Sequence, residues 1–172
     1  MDIQNSIITD IDDIFCLYKT ATDLQRAKHM VPWPVFDRAL IENEIGEKRQ
    51  WKITIDNEIA CIWATTFNDP LIWEEKNLDP SVYIHRIATK PTFRGKNLVA
   101  KIVEWALQYA KENNKAYLRM DTVNKNEKLI EHYGNCGFTF LGLSKLTTTD
   151  GLPEHYHNAT VSLFQLDVKA QI

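Results

Sequence analysis

The sequence is poor in the features that staple, thread or scatter a chain. Three cysteines, Cys16, Cys61 and Cys136, are too few and too far apart for a disulfide framework or a thiolate zinc site. A reducing, cytoplasmic setting is expected. No apolar run approaches the roughly 18 residues of a membrane span. The opening "MDIQNSIITD" has neither the basic start nor the apolar centre of a signal segment, so no membrane partner is expected. Charge of one sign is also missing: 20 Lys and Arg against 23 Asp and Glu leave a net charge of -3. Such a balance offers no surface for a polyanion, and nucleic acid is set aside as a partner. Glycine and proline number six each, and there is no repeat or low-complexity tract. What remains is 172 residues that are 44% hydrophobic, enough for one sizeable core, and a single domain over 1–172 is expected.

The hydrophobic pattern changes period along the chain. "IQNSIIT" reads as a short strand. Ile11, Ile14, Phe15, Leu17 and Tyr18 then recur at helical spacing, behind acidic residues suited to a helix start. After Pro32 and Pro34 a second helical stripe carries Phe36, Leu40, Ile41 and Ile45, with Gly46 as a stop. "QWKITIDNEIACIWATTF" alternates around Asp56-Asn57, a hairpin over about 50–56 and 58–67. "NDPLIWEEKNLDPS" reads as a polar loop with an exposed tryptophan, Trp73. Strand "VYIHRIAT", a long helix with Leu98, Ile102, Trp105, Ala106 and Tyr109 on one face, strand "KAYLRMDTV", a shorter helix over "NKNEKLIEHYGNCGF", and strands "FTFLGLSKL" and "NATVSLFQLDV" complete the chain. The order is β-α-α-β-β-β-α-β-α-β-β, an α/β (α+β) fold with a mixed, mostly antiparallel sheet and helices on both faces. Its middle β-α-β is a parallel crossover.

The stretch "KPTFRGKN", just before the long helix, has two readings. As a turn, Pro91 ends a strand, Gly95 supplies a positive φ and Asn97 caps the helix. As an anion site, backbone N–H groups converge at the positive end of a helix dipole. Arg86, Lys90, Arg94, Lys96 and Lys101 make a local basic excess in an acidic chain.

With its surroundings the stretch resembles the GCN5-related N-acetyltransferase (GNAT) superfamily. The family loop Gln/Arg-x-x-Gly-x-Gly/Ala falls on Thr92-Phe93-Arg94-Gly95-Lys96-Asn97, and the family's Asn, Tyr seven residues on, and Gly-Phe fall on Asn126, Tyr133 and Gly137-Phe138. The resemblance is closest over residues 81–142, and the element order extends it to the whole chain. Thr92, Asn97 and Val99 depart from the family's usual residues.

The resemblance implies acetyl-CoA as acyl donor and direct transfer to a primary amine, without a covalent enzyme intermediate. It places the pyrophosphate on the backbone of Arg94, Gly95, Lys96, Asn97 and Leu98, the pantetheine arm along Ile87 and Thr89, and Asn126 beside that arm. It makes Tyr133 the acid that protonates the leaving thiolate; a core aromatic on its helix is the plainer alternative. A base must take the amine's proton. His85 has an unperturbed pKa near 6.5, and Asp121 stands at the carboxyl end of a strand; a structural histidine and a loop carboxylate are the competing readings. Trp33, Phe36 and Trp73 are candidates for an amine pocket, with Glu74, Glu75, Glu154, His155, Tyr156 and His157 near by in sequence. His155-x-His157 alone is too small a ligand set, and no metal is expected. Cys136 reads as a structural thiol. A small-molecule amine is the expected acceptor. The alternatives are a non-catalytic CoA-binding or sensing module and a protein N-terminal or lysine acetyltransferase. A homodimer is left open.

Overall fold

The alternations and stripes become seven strands and five α-helices across residues 1–171, which the computed structural model describes. They are β1 (Asp2–Asn5), α1 (Ile11–Ala27), α2 (Arg38–Gly46), β2 (Gln50–Ile55), β3 (Glu58–Thr66), α3 (Pro70–Trp73), β4 (Ser81–Thr89), α4 (Leu98–Glu112), β5 (Tyr117–Val123), α5 (Glu127–Asn135), β6 (Thr139–Lys145) and β7 (Thr160–Asp167). This is the expected order with one short helix, α3, added between β3 and β4. All described strand pairs are antiparallel except β4 with β5. The architecture is a mixed α/β fold. No described helix is long and apolar enough to cross a membrane. The chain divides into two compact units, Met1–Thr65 with His85–Leu98, and Thr66–Ile84 with the described residues from Val99 onward.

In the first unit the strands lie in the order β1-β2-β3. Asp56 and Asn57, at φ 52 and φ 62, form the left-handed turn of the β2–β3 hairpin, as two short polar residues tolerate. The stripe of α1 buries Ile11, Ile14, Leu17 and Tyr18 against Phe36, Ile41 of α2, Ile62 of β3 and Ala88 of β4. Asp37 opens α2 by accepting from the Ala39 N–H at 3.0 Å. Helix α2 ends at the expected Gly46, with Glu47 as its C-cap and Lys48 left-handed just beyond, at φ 56.

In the second unit the order is β4-β5-β7-β6. The parallel pairing of β4 with β5 runs from Ser81↔Tyr117 to Tyr83↔Arg119 and ends there. Helix α4 buries Ile102, Val103, Ala106 and Ala110, while Trp105 and Tyr109 stack at 5.0 Å. The segment 68–81 departs from expectation. It is not a loop with an exposed indole: Pro70 starts a helical turn, and Trp73 is 2% exposed in a core with Ile72, Tyr83, Leu146, Val161 and Leu163. A polar sequence hid this burial because the indole is covered by a charged group, the guanidinium of Arg119, 4.9 Å from its ring.

Candidate functional site

The loop ahead of α4 starts where β4 hands its last hydrogen bond to the hairpin, Lys90 N–H to Ala60 O at 2.9 Å. A 3-10 turn, Pro91–Phe93, buries the Phe93 ring, and Arg94, Gly95, Lys96 and Asn97 then stand exposed. Gly95 has φ 79, and a Cβ built there meets nothing within 4 Å, so glycine serves the backbone and not the space. Asn97 is also left-handed, at φ 55, a conformation asparagine tolerates. Left-handed residues in a turn let successive N–H groups converge on an anion, and the helix that begins at buried Leu98 adds its dipole. These residues fit a phosphate. The basic cluster is smaller than its sequence count. Lys90 pairs with Glu58 at 2.7 Å, Lys101 with Glu104 at 3.0 Å, and Arg86 turns inward. Arg94 and Lys96 stay on the loop, with the Lys96 ammonium 5.0 Å from the centre of the Phe93 ring.

Upstream, Ile87 and Thr89 are half-buried on β4, and the Thr89 hydroxyl lies 3.3 Å from the Cys61 sulfur. Burial raises that thiol to about 11, which keeps it protonated. His85 is half-buried on the same strand. Arg86, between them, has φ 53. Its guanidinium donates to both carboxylate oxygens of Glu44 and, at 3.3 Å, to the Tyr18 hydroxyl. It sits 5.1 Å from the centre of the Phe36 ring, and Trp33 packs at 6.0 Å on Phe36 and 5.9 Å on Tyr18. The cation that these rings enclose is therefore the protein's own. Trp73 repeats the pattern in the second unit. Arg119 lies over it, donates to Gln165 at 2.8 Å and to the Lys76 carbonyl, and pairs with Asp79 at 2.6 Å.

The second unit also holds a group of a different kind. Asp121 on β5 accepts from the Tyr156 hydroxyl at 2.8 Å through Oδ2, and its Oδ1 has no hydrogen-bond partner among the described residues. A carboxylate oxygen of Asp69 lies within 4.8 Å. Asp69 precedes Pro70 at the start of α3, where an aspartate ordinarily caps the helix, yet its side chain makes no cap bond. Burial pushes the Asp121 carboxyl up to about 6, against which the Tyr156 bond works. Burial, and then the Asp121 charge, pushes Asp69 up to about 8. Two neighbouring carboxyls raised in this way share protons near neutral pH. Asp121 and Tyr156, distant in sequence, are thus brought together. Asp69 was missed; its "NDP" context carries a helix-start signal and nothing that reports burial.

Tyr133 is half-buried on α5, edge-on to Phe164 at 5.1 Å, beside Phe138 at 6.3 Å. Asn126 caps α5, its Oδ1 accepting from the Leu129 N–H at 3.2 Å. Gly137, at φ 96, lets the chain turn beneath Leu166, whose Cδ1 would lie 3.2 Å from a Cβ there. Cys136 closes α5, its thiol pushed up by burial.

Comparison with known proteins agrees with this architecture. The sequence profile of the Acetyltransferase (GNAT) family matches residues 18–138. YesJ of Bacillus subtilis (strain 168), described as an uncharacterized N-acetyltransferase, is 30% identical over 91 residues, 51% of this chain and 51% of that protein. The match thus spans about half the length of that curated relative. Among solved structures, a GNAT-family acetyltransferase of Listeria monocytogenes 4b F2365 superposes with a TM-score of 0.76 at 21% identity, over 96% of this chain and 94% of that one. A Bacillus anthracis str. Ames structure described as a streptothricin acetyltransferase in complex with acetyl coenzyme A superposes with a TM-score of 0.51 at 21% identity, over 69% of this chain and 61% of that one.

Proposed function

Since the chain belongs to the Acetyltransferase (GNAT) family, we propose that it transfers the acetyl group of acetyl-CoA directly to a primary amine of a small, cationic acceptor, with Asp121 as the base. The observation that carries this reading is Asp121 itself: a carboxyl raised to about 6 by burial, one oxygen oriented by Tyr156 and the other without a hydrogen-bond partner among the described residues. An amine reaches an enzyme mostly as ammonium, because its pKa is near 10.4. A base must take that proton before the nitrogen lone pair can attack, and a carboxylate poised near neutrality is suited to do so. Asp69, a second carboxyl within 4.8 Å, shares protons with Asp121 and gains negative charge as the pH rises toward its own value of about 8, which favours a cationic acceptor.

Acetyl-CoA supplies the acyl group as a thioester. The loop amides of Arg94, Gly95, Lys96, Asn97 and Leu98 would hold its pyrophosphate, and Ile87 and Thr89 its pantetheine arm. Nitrogen attack forms the amide bond and breaks the carbon–sulfur bond. The ammonium's first proton goes to Asp121 before the attack. Tyr133 gives its hydroxyl proton to the departing sulfur, and the second proton, shed by the nitrogen as the amide forms, restores the Tyr133 hydroxyl. Thermal unfolding with acetyl-CoA, CoA and ATP tests the donor: binding at 100 times Kd adds about 2.7 kcal/mol. A shift with both CoA compounds and none with ATP supports it, followed by CoA release with cationic amines. No shift at millimolar acetyl-CoA would overturn the reading.

A further inference from the structure

Arg86 is the one strand-interior residue, among the described residues without a glycine backbone, that takes a left-handed φ. Its φ is 53, whereas the other non-glycine residues with positive φ lie in turns, loops or at element ends. In such a backbone Cβ crowds the neighbouring carbonyl oxygen, and a long side chain relieves none of that. The φ reversal also breaks the alternation of a strand, re-aiming the peptide groups that follow, as an extra residue does in a bulge. Something must hold it. Its own side chain is anchored: the Arg86 guanidinium donates to both oxygens of Glu44 on α2, reaches the Tyr18 hydroxyl on α1 at 3.3 Å, and lies 5.1 Å from the centre of the Phe36 ring. The side chains of Arg86 and Glu44 are 14% and 5% exposed. A buried ion pair is a weak means of gaining stability, since apolar residues of similar volume serve as well or better; its best-attested use is to fix one geometry over another.

We infer that the Arg86–Glu44 pair is a positioning device for the acyl donor: it ties the reversed backbone of β4 to α1 and α2 and so sets the direction of the peptide groups at Arg86 and Ile87. The inference rests on the proposed donor site along β4. Neither side chain needs to touch a reacting atom for it to act.

The double variant R86M/E44L removes both charges and keeps apolar bulk, so folding is retained while the hold on φ is lost. Measured on the full chain, its acetyl-CoA Kd and its KM for acetyl-CoA should rise about tenfold or more, the equivalent of releasing a strained residue from its constraint. Its thermal midpoint should stay at or above that of the wild type. R86G/E44L should bind acetyl-CoA more tightly than R86M/E44L, because glycine accepts a left-handed φ without a Cβ clash. An R86M/E44L protein that folds and binds acetyl-CoA within about twofold of wild type, below the scale of such strain, overturns the inference. If that variant does not fold, R86K carries the test, since it keeps the charge and loses the planar fork. A raised acetyl-CoA Kd with an unmoved acceptor KM supports the device, and wild-type affinity overturns it. Wild-type protein that does not bind acetyl-CoA overturns the donor reading and takes the inference with it, an outcome distinct from wild type and R86M/E44L binding equally well.

Discussion

Each unit buries a carboxylate, and each surrounds it differently. In the first unit Glu44 faces the Arg86 guanidinium, which Tyr18 and Phe36 flank. In the second unit Asp121 faces a tyrosine hydroxyl and, within 4.8 Å, another carboxyl. The Glu44 pair is electrically closed, so its chemistry is finished once the chain folds. For Asp121 burial is the largest influence, the Tyr156 hydroxyl only partly offsets it, and its affinity for protons rises accordingly. Burial alone therefore does not distinguish a structural charge from a chemical one. The identity of the nearest partner does.

The comparison can be broken most decisively at Asp121. Asp121→Asn keeps the shape and removes the proposed base, and kcat/KM for an amine acceptor should fall by about 10²–10⁴. Its thermal midpoint should hold or rise at pH 8, since an ionisable buried group has been made neutral. Steady-state kinetics beside a melting curve reads both. The reverse is expected at Glu44. Glu44→Ala strands the Arg86 guanidinium and should cost about 3–5 kcal/mol of folding stability, seen in denaturant unfolding.

The pH dependence sharpens the contrast. Asp69 and Asp121 have folded pKa values of about 8 and about 6, above the ordinary carboxyl value of 3.8. Their contribution favours the folded state most at acid pH and is lost as pH rises through about 6 and then about 8. Asp69→Asn should therefore lose less stability than wild type between about pH 5 and 8, as differential unfolding at matched ionic strength would reveal. The smallest effect is expected at Tyr156. Its hydroxyl favours ionised Asp121, so Tyr156→Phe should move the acid limb of the kcat/KM profile upward by about a pH unit or less, the worth of one hydrogen bond. A downward shift would contradict the geometry.

Much of the architecture was legible because it rests on local rules. The stripe of α1, the Asp56-Asn57 turn and the alternation of β7 each follow from side-chain spacing or from which residues accept a left-handed backbone. The glycine and asparagine of the loop belong to the same class: Gly95 and Asn97 are both left-handed, as short residues in a tight turn can be. The site was legible in part. Asp121 and Tyr156 stood out singly, but their hydrogen bond joins residues 35 apart.

What the sequence by itself determined is the set of elements, their order and the turns between them, since each depends on residues within a few positions of one another. What only the tertiary structure decided is where each charge found its partner. Trp73 read as exposed until Arg119 covered it, Arg86 read as a ligand for an anion until Glu44 claimed it, and Asp69 read as part of a polar loop until folding set it beside Asp121. A charge's energy depends on distance and on the surrounding dielectric, and neither exists until the chain has closed on itself.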